Sequence, residues 1–131
     1  MKHKFTFSSL IILIILCGVI FFITPKYKDV TINVDGTNIV TQAKEIEVNA
    51  SAYYGDTITS TGAIPKPYHT LAVDPKVIPY GSKVYIPSFN KIFIAEDCGG
   101  AIKGKKIDIF LPTRDDCINF GRRDIKIFIL K

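Results

Sequence analysis

The chain has no tryptophan, one methionine, two histidines and three cysteines in 131 residues. The scarcity of histidine and cysteine excludes most metal chemistry. His3 and His69 lie far apart, no C-x-x-C or H-x-x-x-H spacing occurs, and a zinc site would need Cys98, Cys117 and His69 to converge. Nucleophilic catalysis is as poorly supplied, because no Ser-His-Asp arrangement is recognisable and no motif joins Cys98 to His69. "GGAIKGK" has glycines and lysines but not the G-x-x-x-x-G-K-[ST] spacing of a phosphate loop. Neither a metal nor a cofactor is expected. A large excess of one charge is also missing. The formal net charge is +5, but Lys2, Lys4 and Lys26 sit in the first 26 residues, which hold no acid. Taking those three from the 17 basic residues leaves 14 against 12 acidic ones, so the remainder is only weakly basic. A nucleic-acid partner would need a strong basic face, and none is expected. No repeat or low-complexity tract occurs.

Apolar residues are abundant, at 47% of the chain, and part of the excess is concentrated at one end. Leu10 to Ile23 reads "LIILIILCGVIFFI", and extending it back to Phe5 gives 19 residues without a charge. About 20 apolar residues cross a bilayer core as a helix. A cleaved signal peptide would have a shorter apolar core and an A-x-A-like site, which "VIFFIT" does not offer. A lipoprotein signal would want a small residue before Cys17, where Leu16 stands. Residues 1–26 are therefore expected to be an uncleaved signal anchor, a single transmembrane helix that makes the membrane a partner. The positive tail "MKHK" favours an N-terminus inside, which leaves the longer C-terminal part outside the cytoplasm. Cysteines there can pair. Spacing does not show that Cys98 and Cys117 meet, and two small buried thiols is the plainer reading.

Residues 27–44 read as a stalk or short hairpin, since "VTINV" alternates, "DG" signals a turn and "TNIVT" can return as a strand. From residue 45 to 131 the pattern is many short strands with turn punctuation. "EIEVNASAYY", "HTLAVD", "KKIDIF" and "DIKIFIL" each fit a strand, and "KVYIPSFNKIFIAED" fits two across a turn at Ser88-Phe89-Asn90. "TRDDCINFG" fits one short helix, with Thr113 as N-cap, acids in the first turn and Gly121 at the stop. The fold class is mainly β. A small six-stranded barrel with one short helix is expected, with a sandwich as the alternative.

With metals and nucleophiles set aside, the aspartates are the best reagents present. In "KIDIF", Ile107 and Ile109 share one face of a strand, while Asp108 and Phe110 share the other. If the isoleucines fill a barrel, Asp108 points outward beside an aromatic. Apolar surroundings disfavour a carboxylate and make such a group a proton donor closer to neutral pH. On local sequence alone an ordinary exposed aspartate is the simpler account of Asp108. A turn likewise explains Asp97-Cys98-Gly99-Gly100, a turn acid explains Asp74 before Pro75, and solvation explains Lys103.

Together, "TSTG", "LAVDPKVIPYGSKVYI", "AEDCGGAIKGKKIDIF" and "INFGRRDIKIFIL" resemble the three-aspartate (3D) domain of Gram-positive wall proteins. That family looks like a reduced form of the catalytic domain of membrane-bound lytic transglycosylase A, and is similar to expansins in its double-psi β-barrel. The D-x-G-G-A-I-K-G-x-x-x-D block is the most specific part, and the resemblance covers about residues 45–131. It implies that the three aspartates are Asp74, Asp97 and Asp108, with Asp108 as general acid. Thr61, Gly99, Gly100 and Lys103 fall in matching segments and would line the substrate groove. The implied activity is that of a peptidoglycan lytic transglycosylase. It would cleave the β-1,4 bond between N-acetylmuramic acid and N-acetylglucosamine and leave a 1,6-anhydro product. Two other readings stand beside it: a glycoside hydrolase with Asp97 and Asp108 as acid/base pair, and a non-catalytic, expansin-like binder of peptidoglycan strands. The chain departs from the family pattern at Cys98, where threonine is more usual, and has no room for the second domain of the large transglycosylases.

The N-terminal reading carries its own test. A single-pass chain with its C-terminal domain facing the cell wall should stay in the membrane fraction and lose a C-terminal tag to protease added to cells stripped of their wall. A tag that resists until the membrane is broken reverses the orientation.

Overall fold

The computed structural model describes residues 13–16, 19–22 and 27–131. Most of the expected anchor over residues 1–26 lies outside the described residues. Within it, strands β1 (Leu13–Leu16) and β2 (Val19–Phe22) pair antiparallel rather than continuing one helix. Their Ile, Val and Phe residues favour strands as readily as they favour apolar surroundings. Among the described residues no helix is long and apolar enough to cross a membrane.

Strands β3 (Lys28–Val34) and β4 (Thr37–Tyr53) form a hairpin about Asp35-Gly36. Both turn residues have positive φ, 46° and 86°, as a two-residue turn between twisted strands requires. The strand β4 then runs on past residue 45 for 17 residues in all. It is followed by β5 (Thr70–Val73), β6 (Lys83–Ile86), β7 (Lys91–Asp97), β8 (Lys106–Phe110), helix α1 (Arg114–Phe120) and β9 (Arg123–Leu130).

Hydrogen-bonded neighbours run β4-β8-β5-β7-β6-β9, and β9 returns to β4. Six strands therefore close a barrel, to which β3 is appended, and the sandwich alternative is excluded. Two pairs are parallel, β4 with β8 and β5 with β7, and the remaining barrel pairs are antiparallel. Closure leaves the six-strand ring without an edge, which suits so small a domain.

The core follows the period of two. In β8 Ile107 and Ile109 are fully buried while Asp108 between them is half-buried, and in β9 Ile127 and Ile129 are buried beside exposed Lys126. Each such side chain contributes about 1.5–3 kcal/mol by leaving water. Helix α1 begins and ends where its sequence says it should. The Asp116 amide donates to Thr113 Oγ1 at 3.1 Å, Asp115 and Asp116 occupy the first turn, and Gly121 stops the helix at φ 67°.

A buried phenol helps fasten the hairpin to the barrel, beside the Asp35 amide, which donates to the Asn90 carbonyl at 3.2 Å. The Tyr85 hydroxyl donates to the Asn33 carbonyl at 2.7 Å and accepts from the Asn33 amide at 3.3 Å. A surface ion pair, Lys91 to Asp35 at 2.9 Å, adds little by comparison. Tyr85→Phe removes the hydroxyl and nothing else. It should cost about 1–2 kcal/mol in denaturant unfolding and speed amide exchange over residues 28–42. An unchanged midpoint and unchanged exchange would show that the hairpin holds itself in place.

Candidate active site

The register of the barrel lays four residues in one row. Ser51 of β4 pairs with Asp108 of β8, Asp108 with Ala72 of β5, and Ala72 with Asp97 of β7. Three strands at the usual spacing separate the Asp108 and Asp97 Cα atoms by about 10 Å. The small side chain of Ala72 stands between them in the register. Asp97 reaches this row only through an irregularity: Leu71 pairs with Ala95, but the next residue, Ala72, pairs with Asp97, so Glu96 is looped out. A bulge of this kind re-aims the side chains that follow it. Glu96 is used as a brace, accepting from the buried Thr70 hydroxyl at 2.7 Å.

Asp97 is 5% exposed, and its oxygens accept three hydrogen bonds. The Tyr53 hydroxyl donates at 2.7 Å, and the Ser60 and Cys98 amides at 2.9 Å each. Burial works to raise its pKa, but the Ser60 amide, the Tyr53 hydroxyl and the Cys98 amide outweigh it and hold the carboxyl below its ordinary value. Tyr53 responds in the opposite direction. Burial, and then the carboxylate it serves, push its phenol well above the usual tyrosine range. Its ring stands edge-on to Phe110, with centroids 5.2 Å apart.

Asp108 accepts from Ser51 Oγ at 3.0 Å. Burial raises its pKa and the Asp97 and Asp56 charges add to the effect, while the Ser51 bond and the Arg122 charge oppose it without cancelling it. The two carboxyls of the row are therefore driven apart. Asp97 is held ionised, and Asp108 is the one that keeps a proton more readily. Such a split is how a site assigns acid and base roles.

Asp74 follows β5 and is engaged elsewhere. It accepts from the Gly104 amide at 2.9 Å and the Lys76 amide at 3.0 Å, and these two bonds hold its pKa low. Asp74 thus ties its own turn to the glycine loop. In that loop the Ile102 amide donates to the Gly99 carbonyl at 3.0 Å, and a Cβ on Gly99 would sit 3.2 Å from Ile102 Cγ1. Gly100 has open space around it, and Lys103 is exposed. Thr61 spends its hydroxyl on the Glu96 carbonyl at 2.7 Å, which clamps the residues around Ser60 against β7. Cys98 and Cys117 are both free. Cys98 is exposed rather than buried, because the Asp97 turn carries it out of the barrel.

Two hollows open nearby, one reaching Tyr53, the Asp97 partner, and the other reaching Ser51 of the row itself. One of about 400 Å3 is lined by Ala52, Tyr53, Tyr54, Arg114, Cys117 and Ile118. The other, about 160 Å3, is lined by Asn49, Ser51, Ala101, Ile102, Lys106 and Arg122. Sequence reasoning missed Ser51, Tyr53 and Arg122. The alternation of "NASAYY" places Ser51 and Tyr53 on one face, but nothing local says that this face adjoins Asp108. Among the described residues no three His, Cys, Asp or Glu side chains converge as metal ligands.

The opposed shifts set the sign of the pH response. The Asp108 pKa is raised on folding, so its contribution to stability is full below the ordinary 3.8 and is lost as pH rises through the folded value. The Asp97 contribution is present above 3.8 and is lost as pH falls through its lowered value. Asp108→Asn should therefore be more stable than the native chain near neutral pH, with the gain vanishing at low pH. Asp97→Asn should be less stable near neutral pH, with the deficit closing at low pH. Urea midpoints across that range check both signs, and a neutral-pH loss in Asp108→Asn would contradict the burial account of its pKa.

A family model of the 3D domain matches residues 69–131. The cell wall-binding protein YocH of Bacillus subtilis (strain 168) is 40% identical over 102 residues, covering 72% of this chain and 35% of that protein. The putative cell wall shaping protein YabE of the same organism is 35% identical over 120 residues, covering 82% of this chain and 29% of that one. The chain thus spans about a third of the length of these relatives. Among solved structures, E. coli MltA with bound chitohexaose is similar at 19% identity and a TM-score of 0.48, over 59% of this chain and 28% of that one. The aspartate row and the glycine loop beside it lie almost wholly within the matched segment: this chain carries a domain of the 3D family over residues 69–131.

Proposed function

We propose that the chain is a peptidoglycan lytic transglycosylase, with Asp108 serving in turn as general acid and general base. The observation that carries the reading is the contrast within one row. Asp108 is half-buried, its pKa is raised, and it is held by a single hydroxyl, whereas Asp97 has both oxygens occupied. A hydrolase of the ordinary kind needs two free carboxyls. With Asp97 occupied, the arrangement favours a mechanism that needs only one. The wall-related names of the YocH and YabE relatives support a glycan of the cell wall as substrate. The two parallel pairs, β4–β8 and β5–β7, fit the double-psi topology that the family resemblance implies.

In this mechanism the protonated Asp108 donates to the glycosidic oxygen between N-acetylmuramic acid and N-acetylglucosamine. The bond to C1 breaks as an oxocarbenium-like centre develops. The Asp108 carboxylate then accepts the proton of the sugar's own 6-hydroxyl as that oxygen closes on C1. The product is a 1,6-anhydro sugar. A nucleophile already tethered to the substrate needs no second carboxyl to activate water. Ser51 positions Asp108, and burial keeps its pKa up with the Asp97 charge adding to the effect. The apolar N-terminal run would hold the domain at the membrane, facing the wall.

A second reading has one observation in its favour. YocH is named for binding the cell wall, and a 3D domain that binds glycan without cutting it would suit that name.

Product analysis separates the readings. Purified peptidoglycan incubated with the full chain should yield 1,6-anhydro-muropeptides, lighter by one water than hydrolysis products. Asp108→Asn should lower turnover about 10²–10⁴-fold, the usual worth of general acid catalysis. Activity should fall as pH rises through the Asp108 pKa. Reducing-end products would support a hydrolase, and cosedimentation without any product would support the binder. Undiminished activity in Asp108→Asn would remove Asp108 from the mechanism.

A further inference from the structure

The smaller hollow lies directly beside the reacting row, because Ser51 lines it and also donates to Asp108. Its other walls are Asn49, Ala101, Ile102, Lys106 and Arg122. At about 160 Å3 it has the room of about five waters, which suits a side group of a glycan rather than another sugar ring. Its two cations are in no ion pair, although the Arg122 charge is felt at Asp108. Among the described residues the ion pairs are Lys28 and Lys126 with Glu45, and Lys91 with Asp35. Neither Lys106 nor Arg122 takes part in one. The adjoining loop adds Lys103 and Lys105, both exposed. Of the acids on adjoining strands, Asp124 accepts from the Asn49 side-chain amide at 2.9 Å, and Asp108 accepts from Ser51 without pairing with either cation. Arg123, by contrast, is spent on the end of α1, where it lies 4.4 Å from the centre of the Phe120 ring and donates to the Phe120 carbonyl.

We infer that this hollow is an anion subsite, in which Arg122 and Lys106 take a carboxylate borne by the glycan next to the bond at Asp108. The inference rests on the proposed glycan-cleaving function and adds what that function leaves open, which is how an alternating polymer is placed in register. A guanidinium offers a planar fork to a carboxylate, and Lys106 adds a second charge across the hollow. Only one of the two sugars in the repeat bears an acid side group, so filling the hollow admits one of the two bonds to Asp108. A neutral glycan has nothing to offer here.

Equilibrium binding by the full-length chain tests this, with three probes of equal sugar count. One is neutral chitohexaose, one is peptide-free wall glycan with bare lactyl carboxylates, and one is peptide-bearing wall glycan. The native chain should bind at least one acidic glycan about tenfold more tightly than the neutral one. Preference for the peptide-free form assigns the carboxylate to the sugar, and preference for the peptide-bearing form assigns it to the stem. In Arg122→Gln and in Lys106→Gln the acidic-to-neutral ratio should fall towards one, and in Arg122→Glu it should fall below one. Added salt should shrink the native ratio. Equal binding of all three probes by the native chain overturns the subsite while leaving the glycan reading intact, as does an unchanged ratio in the three variants. Failure of the native chain to bind any of them overturns the glycan reading, and the subsite with it.

Discussion

Three donors from three parts of the chain meet on the Asp97 carboxylate. The Tyr53 phenol arrives from the end of β4, the Ser60 amide from the long loop after it, and the Cys98 amide from the turn that Asp97 itself begins. A buried carboxylate is costly to leave unpaired, and here its oxygens are satisfied. That satisfaction orders the loop, which has little apolar anchorage of its own: Ile58 and Ile64 are largely exposed, and only Thr59 and Pro65 turn inward. It also supplies the fixed negative charge that acts on Asp108. One polar contact set therefore shapes the site and adds a fixed charge to the burial that raises the Asp108 pKa.

Asp108 occupies the opposite position. Its carboxyl is kept where its charged form is disfavoured, with only Ser51 to hold it. Protein surfaces place most aspartates in water, so a half-buried, weakly satisfied one represents stability given up at neutral pH. A site that donates a proton needs such a group. The contrast between the two acids lies in their surroundings, since the residue type is the same and the strands are two apart.

Parts of this were legible in the sequence because they are local. The Asp35-Gly36 turn, the Thr113 cap with its Gly121 stop, and the alternation that turns Asp108 away from Ile107 and Ile109 depend on residues within a few positions of one another. Strand number and the single helix followed from the same local signals. The site was legible only in its acids. Ser51 lies 57 residues from Asp108 and is brought beside it by a parallel pairing that no local pattern encodes. The looping-out of Glu96 is equally silent, because "IAED" alternates as well with it as without it. The resemblance names Asp74 as the third aspartate, and no local pattern tells that it accepts from the Lys76 and Gly104 amides and so ties its turn to the glycine loop. The aspartates were readable as chemistry, and their partners were decided by topology.

The long strand β4 has a consequence for how the domain comes into being. It lies between β8 and β9 in the ring, so each of its barrel neighbours is made more than fifty residues after it. Contacts so distant along the chain close slowly, because the intervening loop entropy must be spent before any of them forms. As the polypeptide is synthesised, β4 and Ser51 wait with an open flank until residues 123–130 have been added, and only then does the ring shut. During that interval β3 is the one neighbour already available to it. The hairpin thus shields part of the first strand of the ring while its last is still being made.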